Sequence, residues 1–534
     1  MGYNMIDASC KFEFIKYDGI KSVKDAEFYA NEVELNEIWH NNRPIKNGVV
    51  KSAYYRVKIN GITAPVYMTR TAHGAHSYCY IDVEDFNDNF SLDVQVFPLE
   101  QSKFLLNKTP ECEILPLKRG ITPQVERGKV SFQINSFGDY TLIFNGQHLE
   151  PITFFITKKV CEEELFNGYD IQYILPDNYA AEETNENLHF EKENTVYYFK
   201  SGRYVIDDII LPSNSILYLE NGAYLEVVPN LQGKKNYAIN IVDKKNIKVL
   251  GRGLIDFSAC CGGETYDESL KSNKSAIMFK RCENVSFEGV TSINSNTWTL
   301  NFIGCKNVYV NNVLFFGYRV FSDGVMLSDC QNGLVENSFV RTGDDAFETK
   351  SIGTAVDAAH TDNILFRFNT CWTDKANGYG CVYESLHPTR NVRFENCSVG
   401  FANGTWSDHL GCCEIQLGEV FNPNITENIV FENIEIYCTK NKAAINCYIG
   451  GSGGRQEGAG TIQNIHYNNI EIKHNHQYVV NLQTWDNENC FINDLYLNNV
   501  VSNGILLTEE NKRKFVRVKV AGGYNLNKLK VNKE

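Results

Sequence analysis

A short segment recurs through the second half of the chain: an asparagine, an alternating apolar strand, and another asparagine five residues later. The clearest copies are Asn307–Asn312, Asn332–Asn337, Asn391–Asn396, Asn428–Asn433 and Asn464–Asn469, with relatives starting at Asn246 and Asn284 and an offset one at Asn363–Asn369. The starts at 284, 307 and 332 are 23 and 25 residues apart, about one coil of a parallel β-helix. Leucine-rich repeats share this period but need a leucine lattice, which the chain lacks. The repeat therefore predicts stacked parallel strands.

The asparagine that closes each copy is predicted to lie at a bend between strands. Asparagine tolerates left-handed backbone geometry, and its side chain can hydrogen-bond the equivalent asparagine one coil away. Later starts, at 363, 391, 428 and 464, are 31, 28, 37 and 36 residues from the preceding ones. These longer steps indicate loops inserted between strands of the same stack.

The chain divides into two predicted domains, in keeping with its 534 residues. Residues 1–165 contain alternating strands with frequent turn signals, typical of a β-sandwich. Residues 166–194 are predicted to connect this domain to the rest of the chain. Residues 195–534 form the predicted β-helix, so the fold class is all-β.

Composition excludes several classes of protein. The net charge of −14 and the pI of about 5.4, with no basic run, argue against a nucleic-acid partner. No apolar run reaches about 18 residues, so no membrane span is expected. The first residues lack the basic and apolar stretches of a signal peptide, and the 17 cysteines include no CxxC pair. We therefore expect a cytoplasmic protein with reduced thiols and no zinc site.

Three carboxylates stand in two similar strings, Ser322–Leu327 and Gly343–Ser351. Asp323 and Asp345 are 22 residues apart, about one coil, so we expect them to lie roughly 4.8 Å from each other, with Asp344 beside them. Like charges this close split their pKa values, which suits acid–base hydrolysis of a glycosidic bond. Surface turns are the alternative, because Asp-Gly and Gly-Asp are common turn pairs.

Aligning the strands that follow places four residues in one predicted column: Trp298, Asp323, Asp345 and Tyr379. Aromatic side chains at either end of an acidic pair suit a sugar, because its apolar face stacks on rings while its hydroxyls bond to acids. The sequence therefore favours a carbohydrate partner. It indicates no particular oligomeric state.

These motifs resemble the polygalacturonase superfamily of right-handed parallel β-helices, namely glycoside hydrolase family 28 and the dextranase relatives of family 49. The resemblance covers roughly residues 190–500 and includes Gly251–Asp256. Asp323 takes the place of the family's Asn-Thr-Asp motif, Asp344 and Asp345 that of Asp-Asp, and Gly378–Gly380 that of Gly-His-Gly, with Tyr379 for histidine. The family's Arg-Ile-Lys falls on Glu414-Ile415-Gln416, where both basic residues are missing.

The resemblance implies an inverting glycoside hydrolase without a metal or organic cofactor. Asp344 is then the general acid, and Asp323 and Asp345 activate water, with acid and base about 6.5–9.5 Å apart. Lys350 is predicted to stabilise charge. The other predicted substrate-binding residues are Trp298, Tyr379, Glu384, His409, Glu414 and Gln416.

The substrate expectation depends on the missing basic pair. Glu414 and Gln416 do not suit a galacturonate carboxylate, so a neutral, dextran-like oligosaccharide is expected, with exo action on short chains. Loops at 352–361 and 400–427 are predicted to close one end of the cleft. A polygalacturonase-type enzyme, a non-catalytic carbohydrate-binding β-helix, and a lyase or epimerase remain alternatives, although a lyase would need a basic residue that the column lacks.

Overall fold

A computed structural model describes residues 11–17, 19–22, 48–87, 90–104, 110–176, 186–228, 236–260, 274–352, 360–405, 407–418, 424–451, 459–485, 488–520 and 528–532. The start of the chain and most of the loops at 353–359 and 419–423 lie outside these residues. No helix within the described ranges is long and apolar enough to cross a bilayer.

The N-terminal region forms two sheets from twelve short strands. They are β1 Phe12–Phe14, β2 Val49–Lys51, β3 Tyr55–Ile59, β4 Ile62–Ala64, β5 Tyr67–Thr71, β6 Gly74–Val83, β7 Leu92–Pro98, β8 Cys112–Leu115, β9 Gln124–Glu126, β10 Lys129–Ile134, β11 Gly138–Phe144 and β12 Gln147–Lys158. One sheet has the order β2-β5-β6-β12-β11-β8, with β1 also paired to β6, and the other β4-β3-β7-β10-β9. Their facing apolar residues share one core. A 3₁₀ helix (Leu117–Arg119) and α1 (Glu162–Phe166) follow β8 and β12.

The remaining strands wind into a right-handed parallel β-helix, which confirms the predicted fold class. They are β13 Asp170–Ile174, β14 Glu186–His189, β15 Thr195–Phe199, β16 Gly202–Ile210, β17 Ser215–Leu219, β18 Ala223–Val227, β19 Asn236–Val242, β20 Lys245–Gly251, β21 Leu254–Asp256, β22 Lys274–Lys280, β23 Glu283–Glu288, β24 Thr291–Ile293, β25 Leu300–Ile303, β26 Lys306–Asn311, β27 Leu314–Phe316, β28 Val325–Ser328, β29 Gln331–Glu336 and β30 Phe339–Thr342. They continue as β31 Phe347–Ser351, β32 Thr361–Arg367, β33 Thr370–Thr373, β34 Tyr379–Ser385, β35 Thr389–Glu395, β36 Ser398–Ala402, β37 Cys413–Leu417, β38 Asn424–Thr439, β39 Ala443–Ile449, β40 Gly460–Asn475, β41 Tyr478–Thr484, β42 Cys490–Ser502, β43 Ile505–Leu506, α2 Lys512–Phe515, β44 Val516–Val520 and β45 Leu529–Val531.

Three faces run along this helix. The ladder sheet contains β15, β17, β20, β23, β26, β29, β32 and β35, and the domain-facing sheet contains β18, β21, β24, β27, β30, β33 and β36. The site sheet contains β19, β22, β25, β28, β31, β34, β37, β39, β41 and β44. Parallel pairing already begins between β13 and β15, so the first coil includes residues that the sequence assigned to the connection.

The repeated asparagines form the predicted side-chain ladders. Asparagines that open and close the copies have φ values between 52° and 59°, which is the left-handed region. Their side chains bond from coil to coil, as in Asn284 to Asn246 (2.9 Å) and Asn469 to Asn433 (3.0 Å). In the offset copy, Phe368 takes the closing left-handed position and Asn369 turns inward to bond the carbonyl of Val335. The ladders fix the register of successive coils.

The domain-facing sheet packs against the N-terminal region through a shared apolar core that contains Tyr78, Phe316 and Trp372. A buried ion pair lies within this contact: Arg341 Nη2 is 2.9 Å from Asp374 Oδ1, and both side chains are almost fully buried. Arg341 also donates to Nδ1 of His76 in β6 (3.2 Å). Burial lowers the pKa of His76, so its ring is a neutral acceptor.

Replacing Arg341 with leucine is expected to destabilise the protein by about 3–5 kcal/mol, because Asp374 is left as an unpaired buried charge. Chemical denaturation followed by tryptophan fluorescence measures this effect. The matched control is Arg203→Leu, since Arg203 is 55% exposed in its pair with Glu226 and is expected to change stability by at most about 1 kcal/mol. Equal shifts in the two variants contradict the expectation.

Candidate active site

The register of the site sheet places the carboxylates on neighbouring coils. Leu300 pairs with Val325, Val325 with Phe347, and Phe347 with Tyr379. Two residues before each paired position stand Trp298, Asp323, Asp345 and Asn377, and the backbone bonds continue the pairing through this region. The column therefore ends in Asn377 and not in Tyr379.

The prediction that Tyr379 binds substrate is wrong. Its ring is fully buried in the helix core, stacked on Phe347 at 5.5 Å. Its hydroxyl donates to the carbonyls of Asn369 (2.8 Å) and Ser398 (2.9 Å). Tyr379 pairs in register with Phe347, which also faces the core, so the sequence alignment began two residues late and selected an inward position. The string equivalent to Gly-His-Gly is therefore Ala376-Asn377-Gly378.

Asp323, Asp345 and Glu348 form a buried cluster in which one carboxylate oxygen from each lies within 4.8 Å of the others. Lys350 provides the positive charge: its Nζ is 3.2 Å from Asp323 Oδ2 and 3.5 Å from Glu348 Oε2. These three acids are the residues that could hold a cation. The ammonium group of Lys350 already supplies the compensating charge there.

Asp344 lies beside this cluster but is partly exposed. The backbone N–H groups of Phe321 (2.9 Å) and Asp345 (3.1 Å) donate to its two carboxylate oxygens. Burial, followed by the charges of Asp323 and Asp345, raises the pKa of Asp344 well above its usual value. A carboxyl group that holds its proton more tightly than usual is therefore presented at the edge of an otherwise buried cluster.

Asp323 has a different electrostatic environment. Burial raises its pKa to about 6, while the neighbouring Lys350 opposes the rise. Its carboxyl group is thus mostly ionised at neutral pH, whereas burial and the neighbouring charges favour the protonated form of Asp344. Asp345 accepts two bonds from Asn377, from the backbone N–H (3.0 Å) and from Nδ2 (2.7 Å), which fix its orientation.

Two predicted binding residues lie next to Lys350. Its Nζ is 4.6 Å from the centre of the Trp298 ring, a cation–π contact, and 3.7 Å from Glu384 Oε2. The Glu384 side chain is 34% exposed, so it stands at the rim of the cluster. Trp298 and Glu384 therefore lie at the carboxylates, and the spacing indicated this position for Trp298.

The other predicted binding residues lie on later coils. Glu414 pairs in register with Gly380, which pairs with Glu348, so Glu414 is two coils from Glu348 on the outward face. It accepts a bond from Asn446, and burial raises its pKa well above the usual range. Gln416 donates to the His409 carbonyl (2.6 Å). The His409 ring stacks on Tyr448 at 4.3 Å, and burial lowers its pKa to about 4.

The sequence interpretation missed three residues of the site. Glu348 and Asn377 contact the acids directly, and alternation within Ala346–Lys350 could have indicated the outward position of Glu348. Phe321 is 38% exposed beside Asp344 and has a φ of 65°, a strained value for a bulky residue. No local sequence signal indicates that conformation.

Comparison with known proteins agrees with the geometry. The model of the family described as "Glycosyl hydrolases family 28" matches residues 221–405, which include all three aspartates. The "Probable exopolygalacturonase B" of Neosartorya fischeri is 25% identical over 254 residues, 46% of this chain and 47% of that protein. "Polygalacturonase QRT2" of Arabidopsis thaliana is 25% identical over 261 residues, 46% and 54% of the two chains. The chain thus spans about half the length of these curated relatives.

A solved structure has the same fold over nearly the whole chain. "Dex49A from Penicillium minioluteum" has a TM-score of 0.68 and 12% sequence identity, covering 98% of this chain and 99% of that one. This likeness shows a shared fold, and the family-28 match over residues 221–405 agrees with the resemblance that the motifs indicated.

Proposed function

We propose that the protein is an inverting glycoside hydrolase in which Asp344 is the general acid. Asp323 and Asp345 hold and deprotonate the attacking water. The observation that supports these roles is the difference between neighbouring carboxyl groups: burial and the charges of Asp323 and Asp345 raise the pKa of Asp344 well above its usual value, while Asp323 lies 3.2 Å from the ammonium group of Lys350. Pairs of acids with separated pKa values are what this chemistry requires.

The reaction proceeds in one displacement. Asp344 gives its proton to the glycosidic oxygen as the bond from that oxygen to the anomeric carbon breaks. Water attacks the same carbon from the opposite face and transfers a proton to the Asp323–Asp345 pair, so the anomeric configuration inverts. Lys350, whose Nζ is 3.2 Å from Asp323 Oδ2, stabilises the charge of Asp323. Proton NMR of the first product tests the proposal: the inverted anomer is expected, and a retained anomer contradicts it.

We further propose that the substrate is a neutral oligosaccharide. Glu414 and Gln416 lie on the outward face two coils after Glu348, and neither side chain offers a positive charge to a uronate. Burial raises the pKa of Glu414 well above its usual value and lowers that of His409 to about 4, so burial favours the uncharged form of both groups. Such groups suit sugar hydroxyls.

A substrate panel should therefore show faster hydrolysis of neutral glycans than of polygalacturonate, with kcat/KM at least about ten-fold higher, equivalent to about 1.4 kcal/mol. The panel contains isomalto-oligosaccharides, other neutral oligosaccharides and pectic oligosaccharides of matched length, and reducing sugar is measured over time. Faster release of galacturonic acid than of any neutral sugar refutes the neutral assignment.

A polygalacturonase-type activity is the second candidate, because the curated relatives are named as polygalacturonases. The same substrate panel distinguishes a polygalacturonase-type activity from hydrolysis of a neutral oligosaccharide. If no glycan is cleaved although saccharides bind, the protein is a carbohydrate-binding β-helix, and the hydrolase proposal fails.

We also propose that the protein is exo-acting and works in a reducing compartment. Fifteen cysteines in the described part of the chain carry free thiols, and most of them are buried in the β-helix, where they pack as small apolar groups. An enzyme of the cytoplasm meets short chains, which favours release of one small product. Parts of the loops predicted to close the cleft, among them residues 353–359 and 419–423, lie outside the described residues. Product analysis is therefore the test: a ladder of intermediate lengths from a long polymer argues for an open cleft.

A further inference from the structure

A cavity of about 670 Å³ lies on the site sheet, on the coils that precede Asp323. Its lining residues are Tyr237, Asn240, Val242, Met278, Lys280, Arg281, Thr297, Trp298, Asn301, Ile303, Ile352 and Glu384. This volume is within the range of small-molecule pockets. The cavity shares Trp298 and Glu384 with the carboxylate cluster, so it is continuous with the candidate active site.

The floor of the cavity is apolar. Met278, Ile303 and Met326 form a buried cluster, and partly buried Tyr237, Trp298 and Ile352 pack against it. The strand register explains the arrangement, because Met278 pairs with Asn301 and Asn301 with Met326 on the outward face. An aliphatic floor with aromatic walls fits the apolar face of a sugar ring.

Asn301 adds a specific polar requirement. Its side chain is 1% exposed, and its Nδ2 donates to the carbonyls of Ile277 (3.0 Å) and Trp298 (2.8 Å). These two bonds fix the amide orientation and leave Oδ1 without a hydrogen-bond partner among the described residues. A buried acceptor left unsatisfied costs about 1–3 kcal/mol. A sugar hydroxyl can donate to it, whereas an ionised carboxylate cannot.

The charges around the cavity also disfavour an anionic ligand. Arg281 is engaged by Asp243, with Nε 2.6 Å from Oδ1. The Glu384 carboxylate, at the end nearest the cluster, repels a second carboxylate. Lys280 is the remaining cation of the lining, and its ammonium group can donate to hydroxyl oxygens.

We infer that this cavity is a subsite for an uncharged glycosyl unit, which lies on the floor of Met278 and Ile303 and donates a hydroxyl to Asn301 Oδ1. The inference rests on the proposed function and assigns the Trp298 side of the catalytic carboxylates to substrate binding. Tyr237, Asn240 and Lys280 become residues that determine the affinity for this unit.

The test fills the cavity without altering the carboxylates. Asn240→Trp places a large ring into the space from a half-buried position on β19, and Lys280→Trp fills it from the other end if the first variant fails to fold. The control is Lys248→Trp, on the ladder sheet. KM for the best neutral oligosaccharide is expected to rise at least ten-fold in the filled variants and to stay unchanged in the control.

Direct binding keeps this inference separate from the hydrolase proposal. Calorimetric titration of the full chain with methyl glycosides and with galacturonate needs no turnover. Binding of a neutral glycoside that Asn240→Trp abolishes supports the subsite even if no hydrolysis is found. Unchanged binding and KM in both filled variants overturn it, and so does tighter binding of galacturonate that Lys280→Gln removes.

Discussion

The Asp344→Asn variant is expected to lose about 100- to 10,000-fold in kcat on unactivated oligosaccharides, with its fold intact. Asparagine fills the same space and can still accept one of the two N–H bonds from Phe321 and Asp345 through its single amide oxygen, but it has no proton to give to the leaving oxygen. Steady-state kinetics, with circular dichroism and thermal unfolding as the check on folding, measure the effect.

A comparison of substrates with different leaving groups tests the role of Asp344 more specifically. A nitrophenyl leaving group needs little protonation, so the loss on an aryl glycoside should be much smaller than the loss on an oligosaccharide. Asp170→Asn, at a side chain that is 71% exposed, serves as the matched control and should leave kcat unchanged on both substrates. Turnover like that of the wild type on an oligosaccharide rules Asp344 out as the general acid.

Replacing Lys350 with methionine is expected to lower both activity and stability, the latter by about 3–5 kcal/mol at neutral pH. Although burial alone lowers the pKa of Lys350, the charges of Glu348 and Asp323 raise it well above its usual value, so the ammonium persists. Methionine preserves most of the volume and leaves the buried acids without compensation. Lys192→Met, at a side chain that is 64% exposed, should cost at most about 1 kcal/mol.

The stability deficit of the Lys350→Met variant should depend on pH in a defined direction. The folded pKa values of Asp323 and Glu348 are raised, so folding favours their protonated forms. Below the unfolded values of about 4, both states are protonated and the deficit is small. It grows as pH rises through about 6, where the unfolded acids ionise freely and the folded ones do not. Urea unfolding at several pH values checks this, and a deficit independent of pH contradicts it.

The parts of the fold that repeat could be predicted from the sequence, because the asparagines mark the same bend in every coil. The proximity of Asp323 and Asp345 could be predicted for the same reason, because the two residues are separated by one coil. The placement of Tyr379 failed because its coil contains no equally clear marker, and an error in alignment moved the column onto an inward residue. The catalytic and substrate-binding roles of the site residues remain predictions.

Other features could not be predicted because they depend on contacts between distant segments. His76 and Arg341 are 265 residues apart, and nothing local in either segment indicates their hydrogen bond. Glu348 resembled an ordinary strand residue, since its proximity to Asp323 and Asp345 depends on coil stacking. The strained backbone of Phe321 follows from its loop being held between two coils.

The ion pair of Arg341 has a consequence for how the molecule behaves as a thermodynamic unit. Arg341 stands three residues before Asp344 in the same segment, and its charge is satisfied partly by Asp374 and partly by a histidine from the N-terminal sheets. The two regions are therefore expected to melt in one cooperative transition. Catalytic activity should then be lost on heating together with the N-terminal sheets and the coils, because the segment that carries Asp344 is bonded to both.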